Sequence, residues 1–227
     1  MSPDDFTALW VTLRLALIST ALLLVLCTPL AWWLARTQRR IKVVIEALVM
    51  MPLVLPPTVL GFYLLLLLGP QGWVGGSLQA IGLPHLAFSF TGLVIGSMIF
   101  SLPFVMQPLT GAFQAASGRM LEVAATLRAS PRDQFLSVVL PLSKRGFLTA
   151  TVLSFAHTLG EFGVIIMLGG NIPGHTQVAS IAIFNHVETM NYAAAHQLSA
   201  ILVGSAFVLL LAVFALNGTT RVVRLVP

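Results

Sequence analysis

Five stretches of this chain are each long and apolar enough to cross a lipid bilayer, and that constrains the fold more than any other feature. A helical span needs about 20 mostly apolar residues. The qualifying segments are 9–35, 41–68, 88–113, 146–168 and 196–216. In hydrocarbon every backbone N–H and C=O must be satisfied within the protein, so such segments are helices. The composition agrees: 57% of residues are hydrophobic and only 8% are charged, with a mean hydropathy of +0.95. That leaves too little polar surface to cover a soluble globule. The expected fold class is an all-α polytopic membrane protein with five transmembrane helices.

The placement of Lys and Arg gives an expected orientation. Arg36, Arg39, Arg40 and Lys42 follow the first segment. Arg119, Arg128, Arg132, Lys144 and Arg145 follow the third, and Arg221 and Arg224 follow the fifth. The loops 69–87 and 169–195 contain neither residue type, and the N-terminus carries Asp4 and Asp5. With five spans all the basic loops share one side, so the N-terminus is expected outside and the C-terminus in the cytoplasm. Arg14 is near the outer end of the first span, where it can snorkel. The net charge of +5 thus reflects topology, and no nucleic-acid partner is expected. The first segment is read as a retained helix: it is long enough to span and lacks the basic start of a cleaved leader. Cys27 is the single cysteine, read as a small core residue. The histidines His85, His175, His186 and His196 are too scattered for a metal site, and no cofactor is expected.

One stretch is built for water. EVAATLRASPRDQFLSVVLP, Glu122 to Pro141, lies in the longest basic loop. Residues 119–127 read as a short helix with Leu121, Ala124, Ala125 and Leu127 on a small, smooth face. Ser130 suits an N-cap, Pro131 the first turn, and Asp133 the third position facing the free N–H groups. A second helix therefore starts at Pro131 and carries Phe135 and Val138.

The pattern Glu122, Ala124, Leu127, Ala129, Ser130, Pro131, Phe135, Leu140, Pro141 resembles the cytoplasmic "EAA" loop of type I ABC importer permeases. The resemblance implies the permease fold of that family over residues 9–216. It implies that residues 119–141 couple to separate ATP-binding cassette ATPase subunits, through Glu122, Ala124, Leu127, Arg128, Ala129, Ser130, Pro131 and Phe135. It also implies a second copy of the permease, an external oxyanion-binding protein, and the cell inner membrane. Arg128 departs from the pattern, which has Gly where a left-handed turn ends the first helix; a non-Gly residue there costs on the order of 1 kcal/mol. No P-loop is present, so the chain is expected to be a transport subunit and not an enzyme.

Within the spans, "MPLVLPPTVLG" (Met51–Gly61) breaks the second segment with Pro52, Pro56 and Pro57. Such breaks are tolerated where neighbours or water satisfy the backbone. A half-helix starting near Pro57 would turn its positive end, with the Thr58 hydroxyl, toward an anion; a kink needed only for packing is the other reading. The stretch resembles the Leu-Pro-Pro segment of molybdate permeases. "SFAHTLGEFGVII" (Ser154–Ile166) holds Glu161, an ionisable group inside a span, with His157 four residues earlier on the same face. Gly146, Ala150, Ser154 and Thr158 form a small-residue stripe for close helix approach, as do Gly92 and Gly96 in the third segment, followed by Ser97 and Ser101. Gly160–Gly163 resembles the Gly-Glu-Phe-Gly motif of molybdate and sulfate permeases, in which Arg often stands where this chain has His157. Pro56, Pro57, Thr58, Ser101, Ser154, His157, Thr158 and Glu161 are therefore the pathway or gate candidates. The resemblance leans to molybdate as substrate, with tungstate, sulfate or thiosulfate as alternatives. A stand-alone proton-coupled carrier using His157 and Glu161 is the reading of a different class.

Overall fold

The computed structural model describes residues 1–116 and 119–217, so Arg221 and Arg224, used above for orientation, lie outside the described residues. The described residues form helices and no strands. The first helix, α1 (Pro3–Arg36), is capped by Ser2: its Oγ accepts from the Asp5 amide at 3.2 Å and its own amide donates to Asp5 Oδ2 at 2.7 Å. This reciprocal box occupies two otherwise free donors. Asp4 and Asp5 in the first turn and Arg36 in the last complement the helix dipole. At 34 residues, α1 is about 50 Å long and outreaches the hydrocarbon core.

The second segment is two half-helices, α2 (Ile41–Val54) and α3 (Pro57–Leu68). The cause is local. A residue preceding proline is pushed out of the helical region, and both Leu55 (φ −73°, ψ 137°) and Pro56 (φ −55°, ψ 133°) precede one. Pro57 then opens α3 at the position where its missing N–H costs nothing. A short α4 (Trp73–Ala80) follows, and α5 (Phe90–Ala116) runs unbroken through Pro103 and Pro108.

The polar stretch forms α6 (Arg119–Thr126), α7 (Pro131–Asp133), a π-helical turn over Gln134–Val139 and α8 (Leu140–Leu142). The run Pro131–Leu142 meets α9 (Lys144–Leu159) at a bend of 67°. The fourth apolar segment is not one helix. It stops at Leu159, passes through Gly160, Glu161 and Phe162, and resumes as α10 (Gly163–Gly169). An outer helix α11 (Ala179–Glu188) and the long α12 (Tyr192–Asn217) complete the chain. By length and composition Pro3–Arg36, Pro57–Ala80, Phe90–Ala116 and Tyr192–Ala215 can each cross a membrane, and the bent pair ending in α9 is a fifth. The chain is thus a multi-pass helical membrane protein with four or five crossings among the described residues.

Helices α1, α5 and α9 form the central packing unit, with α2 against α5 and α3 against α10. The stripe on α9 is buried in this unit: Ala150 and Ser154 have no exposure and Thr158 has 2%. At Gly146 a Cβ would come within 2.3 Å of Ala112 Cβ, so only glycine allows this approach. Toward the polar stretch 119–142, which forms an elbow ahead of α9, the core is aromatic. Phe113, fully buried, meets Trp32, Phe135 and Phe147 at centroid separations of 5.7, 5.9 and 5.8 Å in edge-on geometry, the favoured arrangement for ring quadrupoles. By contrast α12 leaves Val203, Phe207, Val208, Leu211 and Phe214 exposed. Phe113→Ala is expected to cost about 3–5 kcal/mol and Phe207→Ala to change little, read as the shift in melting temperature of the detergent-solubilised protein.

Candidate functional site

The elbow is held on one side and bare on the other. Leu121 and Ala124 of α6 are each 8% exposed and face the core, while Met120, Val123 and Leu127 are exposed. The end of α6 is a Schellman turn: the Arg128 amide donates to Ala125 O and the Ala129 amide to Ala124 O, both at 3.0 Å. Arg128 occupies its left-handed position at φ 57°. The turn is therefore made in the ordinary way, and a non-glycine residue accepts the strain. Gln134 Nε2 donates to Ala129 O at 3.0 Å, tying the next element back across the turn. Ser130 caps that element, its Oγ accepting from the Asp133 amide at 3.2 Å, and Pro131 fills the first position. Phe135 points inward and packs against Trp32, ring centroids 5.5 Å apart and planes tilted by 56°. Glu122 is exposed and, with Arg36, Gln38, Ala125 and Gln134, lines a cleft of about 500 Å³ between α1 and α6.

The helix breaks meet each other. A Cβ on Gly163 would lie 2.6 Å from Pro57 Cβ, and one on Gly61 would lie 2.8 Å from Met167 Cβ and 3.0 Å from Val164 Cα. So α3 and α10 touch backbone to backbone, and their starting ends converge. Pro56, Pro57 and Thr58 at this junction are exposed.

Ser101, Ser154 and Thr158 do not join that surface. They lie buried between α1, α5 and α9, with Ser101 Oγ 3.2 Å from Thr158 Oγ1 and Thr20 Oγ1 donating to Ser154 Oγ at 3.4 Å. The expected pairing of His157 with Glu161 is corrected by the geometry. The helix ends at Leu159, so four-residue spacing no longer places the two on one face. His157 Nδ1 is 2.9 Å from Ser101 Oγ, and its ring stacks on Phe104 at 4.0 Å and beside Phe100 at 4.8 Å. Glu161 sits in the break, 3% exposed. The Ser97 hydroxyl is the neighbour of its carboxylate, without a hydrogen bond of ordinary geometry, while its backbone carbonyl accepts from Ser180 Oγ at 2.6 Å.

Two features escaped the sequence reading. Glu46, Met50, Gln107, Thr110 and Gln114 line a half-polar cavity of about 380 Å³ between α2 and α5. The signal was Gln107 and Gln114, one heptad apart on a helix without charged residues. At the opposite end His186 Nε2 is 2.7 Å from Asp5 Oδ1, joining α11 to the start of α1 across a sequence separation no local pattern reveals. Among the described residues no cluster of His, Cys, Asp or Glu could hold a metal ion.

The comparisons give the class. Residues 27–224 match the family described as binding-protein-dependent transport system inner membrane component. The chain belongs to this family of transport permease subunits. Among its relatives, the molybdenum transport system permease protein ModB of Azotobacter vinelandii is 54% identical over 215 residues, 95% of either chain. The protein of the same name from Haemophilus influenzae is 36% identical, covering 82% of this chain and 81% of that one. The sulfate transport system permease protein CysT of Synechocystis is 32% identical, covering 87% and 68%. The fold is that of a chain in the crystal structure of a bacterial alginate ABC transporter in complex with its alginate pentasaccharide-bound periplasmic protein, with a TM-score of 0.73 at 18% identity over 96% of this chain and 79% of that one.

Arg128→Gly is expected to stabilise the isolated elbow by about 1 kcal/mol, seen as slower amide hydrogen exchange over residues 121–130. Unchanged or faster exchange would show that the left-handed turn stores no strain.

Proposed function

We propose that this chain is the permease subunit of an ATP-driven molybdate importer of the cell inner membrane. Two copies form the pathway, an external binding protein delivers the oxyanion, and ATP-binding cassette subunits grip the elbow at residues 119–141. The N-terminus and the Asp5–His186 end face outward, and the basic loops face the cytoplasm. The observation that carries this reading is the elbow itself: Met120, Val123 and Leu127 offer a bare apolar face on an element whose other face is locked to the core through Leu121 and Phe135. A surface that both docks and transmits needs that division.

Motion follows the packing. Displacement of α6 and α7 reaches α1 and α5 through the Phe135, Trp32 and Phe113 contacts, and reaches α9 through the bend beside Ser143. The outer half-helices α3 and α10, in backbone contact, respond together. The anion is met without Lys or Arg. The start of α3 presents the Thr58 amide and a partial positive charge, with the Thr58 hydroxyl beside it; Pro56 and Pro57 carry no N–H, and the Val59 amide donates to Pro56 O at 3.0 Å. Such a site lets a dianion pass without holding it, which suits a subunit whose selectivity lies with the delivering protein.

Molybdate is preferred over sulfate because the molybdenum relatives reach 54% identity against 32% for CysT of Synechocystis. The proton-coupled carrier loses its support because His157 bonds to Ser101 and not to Glu161. In proteoliposomes holding the permease with its ATPase, molybdate-loaded binding protein is expected to stimulate ATP hydrolysis severalfold over sulfate-loaded protein. Leu127→Asp should abolish that stimulation while leaving the chain inserted. Molybdate uptake that persists without the ATPase subunit would sink the proposal.

A further inference from the structure

Between the end of α1 and the elbow runs a groove of about 440 Å³. Pro29 and Trp32 form one wall, and Phe135 and Leu136 form the other. Leu136 is 60% exposed, so the groove opens to the surface on that side. Its one charged lining residue is Arg132, which is exposed and has no hydrogen bond or ion pair among the described residues. A second guanidinium reaches the groove wall from the neighbouring cleft: Arg36 lies 4.9 Å over the Trp32 ring. Asp133, beside Arg132, is engaged with Ser130, whose Oγ donates to its Oδ2 at 2.9 Å.

We propose that this groove binds an anionic phospholipid of the leaflet next to the basic loops, its phosphate between Arg132 and Arg36 and one acyl chain along Pro29, Trp32, Phe135 and Leu136. The inference rests on the multi-pass reading of the chain and not on the identity of the substrate. Depth supports it. The α1 wall lies within two turns of Arg36, where the apolar helix ends, and Trp32 is the residue type that marks the headgroup level. An apolar channel that opens at that level beside two guanidinium groups, neither held in an ion pair among the described residues, complements an amphiphile with a negative head. Cations near the membrane surface attract anionic lipid, and a guanidinium pairs with phosphate in two-point geometry. A zwitterionic lipid fills the same apolar walls but gains less from the two arginines. The consequence is mechanical: Trp32 and Phe135 are also the contact that anchors the elbow, so the lipid would brace the element that transmits force.

The test uses the full chain with Trp10→Phe, Trp33→Phe and Trp73→Phe, leaving Trp32 as the fluorophore. It is placed in nanodiscs of phosphatidylcholine carrying a minor fraction of brominated phosphatidylglycerol, or the same fraction of brominated phosphatidylcholine. Brominated phosphatidylglycerol is expected to quench Trp32 about two- to fivefold more strongly. Arg132→Gln should remove most of that preference and Arg132→Lys should keep part of it. Equal quenching by the two lipids overturns the proposal, as does a preference that survives Arg132→Gln. Absence of quenching by either lipid also overturns it, because protein then covers the groove.

Discussion

Unpaired backbone groups are costly in hydrocarbon, and the architecture turns on how this chain covers the ones it frees. It interrupts two of its apolar segments, at Leu55–Pro56 and at Gly160–Phe162. Neither break would survive facing lipid alone. At the second break the Glu161 carbonyl is taken by Ser180; at the first, Gly163 packs on Pro57 and Gly61 on Val164 and Met167, while Pro56, Pro57 and Thr58 keep an exposed side. The glycines make the contact close enough for two broken helices to act as one outer unit. The unbroken α1 and α5 supply the frame against which that unit is held.

The elbow solves a different problem. An amphipathic element at a membrane surface can be held by lipid alone, but then it would float. Here Phe135 is driven into the ring cluster of Trp32, Phe113 and Phe147, within a π-helical turn that leads into α8 and α9. Capping at Ser130 and the hydrogen bond from Gln134 to Ala129 make the two short helices one rigid piece. Arg128 pays for its place there in backbone strain, which Gly would avoid.

Much of this was legible in the residues. The Ser130–Pro131–Asp133 start and the proline break before Pro57 are set by local stereochemistry, which reads directly from sequence; the left-handed position at Arg128 was expected only from the family resemblance, since an arginine gives no local sign of it. The small-residue stripe from Gly146 to Thr158 told that a close neighbour existed, though not that α5 supplied it. The reading failed at His157 and Glu161 because it extended helical spacing through Gly160, where the chain leaves the helix. It missed the Asp5–His186 contact and the cavity by Gln107 and Gln114 for another reason. Those depend on which helices lie side by side, and no periodicity within one helix carries that information.

The seam at Gly146 limits how the bundle can rearrange. There is no room for even a methyl group between α9 and Ala112, and Pro108 O lies 3.1 Å from where a Cβ would stand. Two rods meshed that tightly cannot slide past one another without collision, but they can swivel about their nearest point. A push on the elbow, a few residues away, is therefore converted into tilt at a fixed fulcrum rather than piston travel.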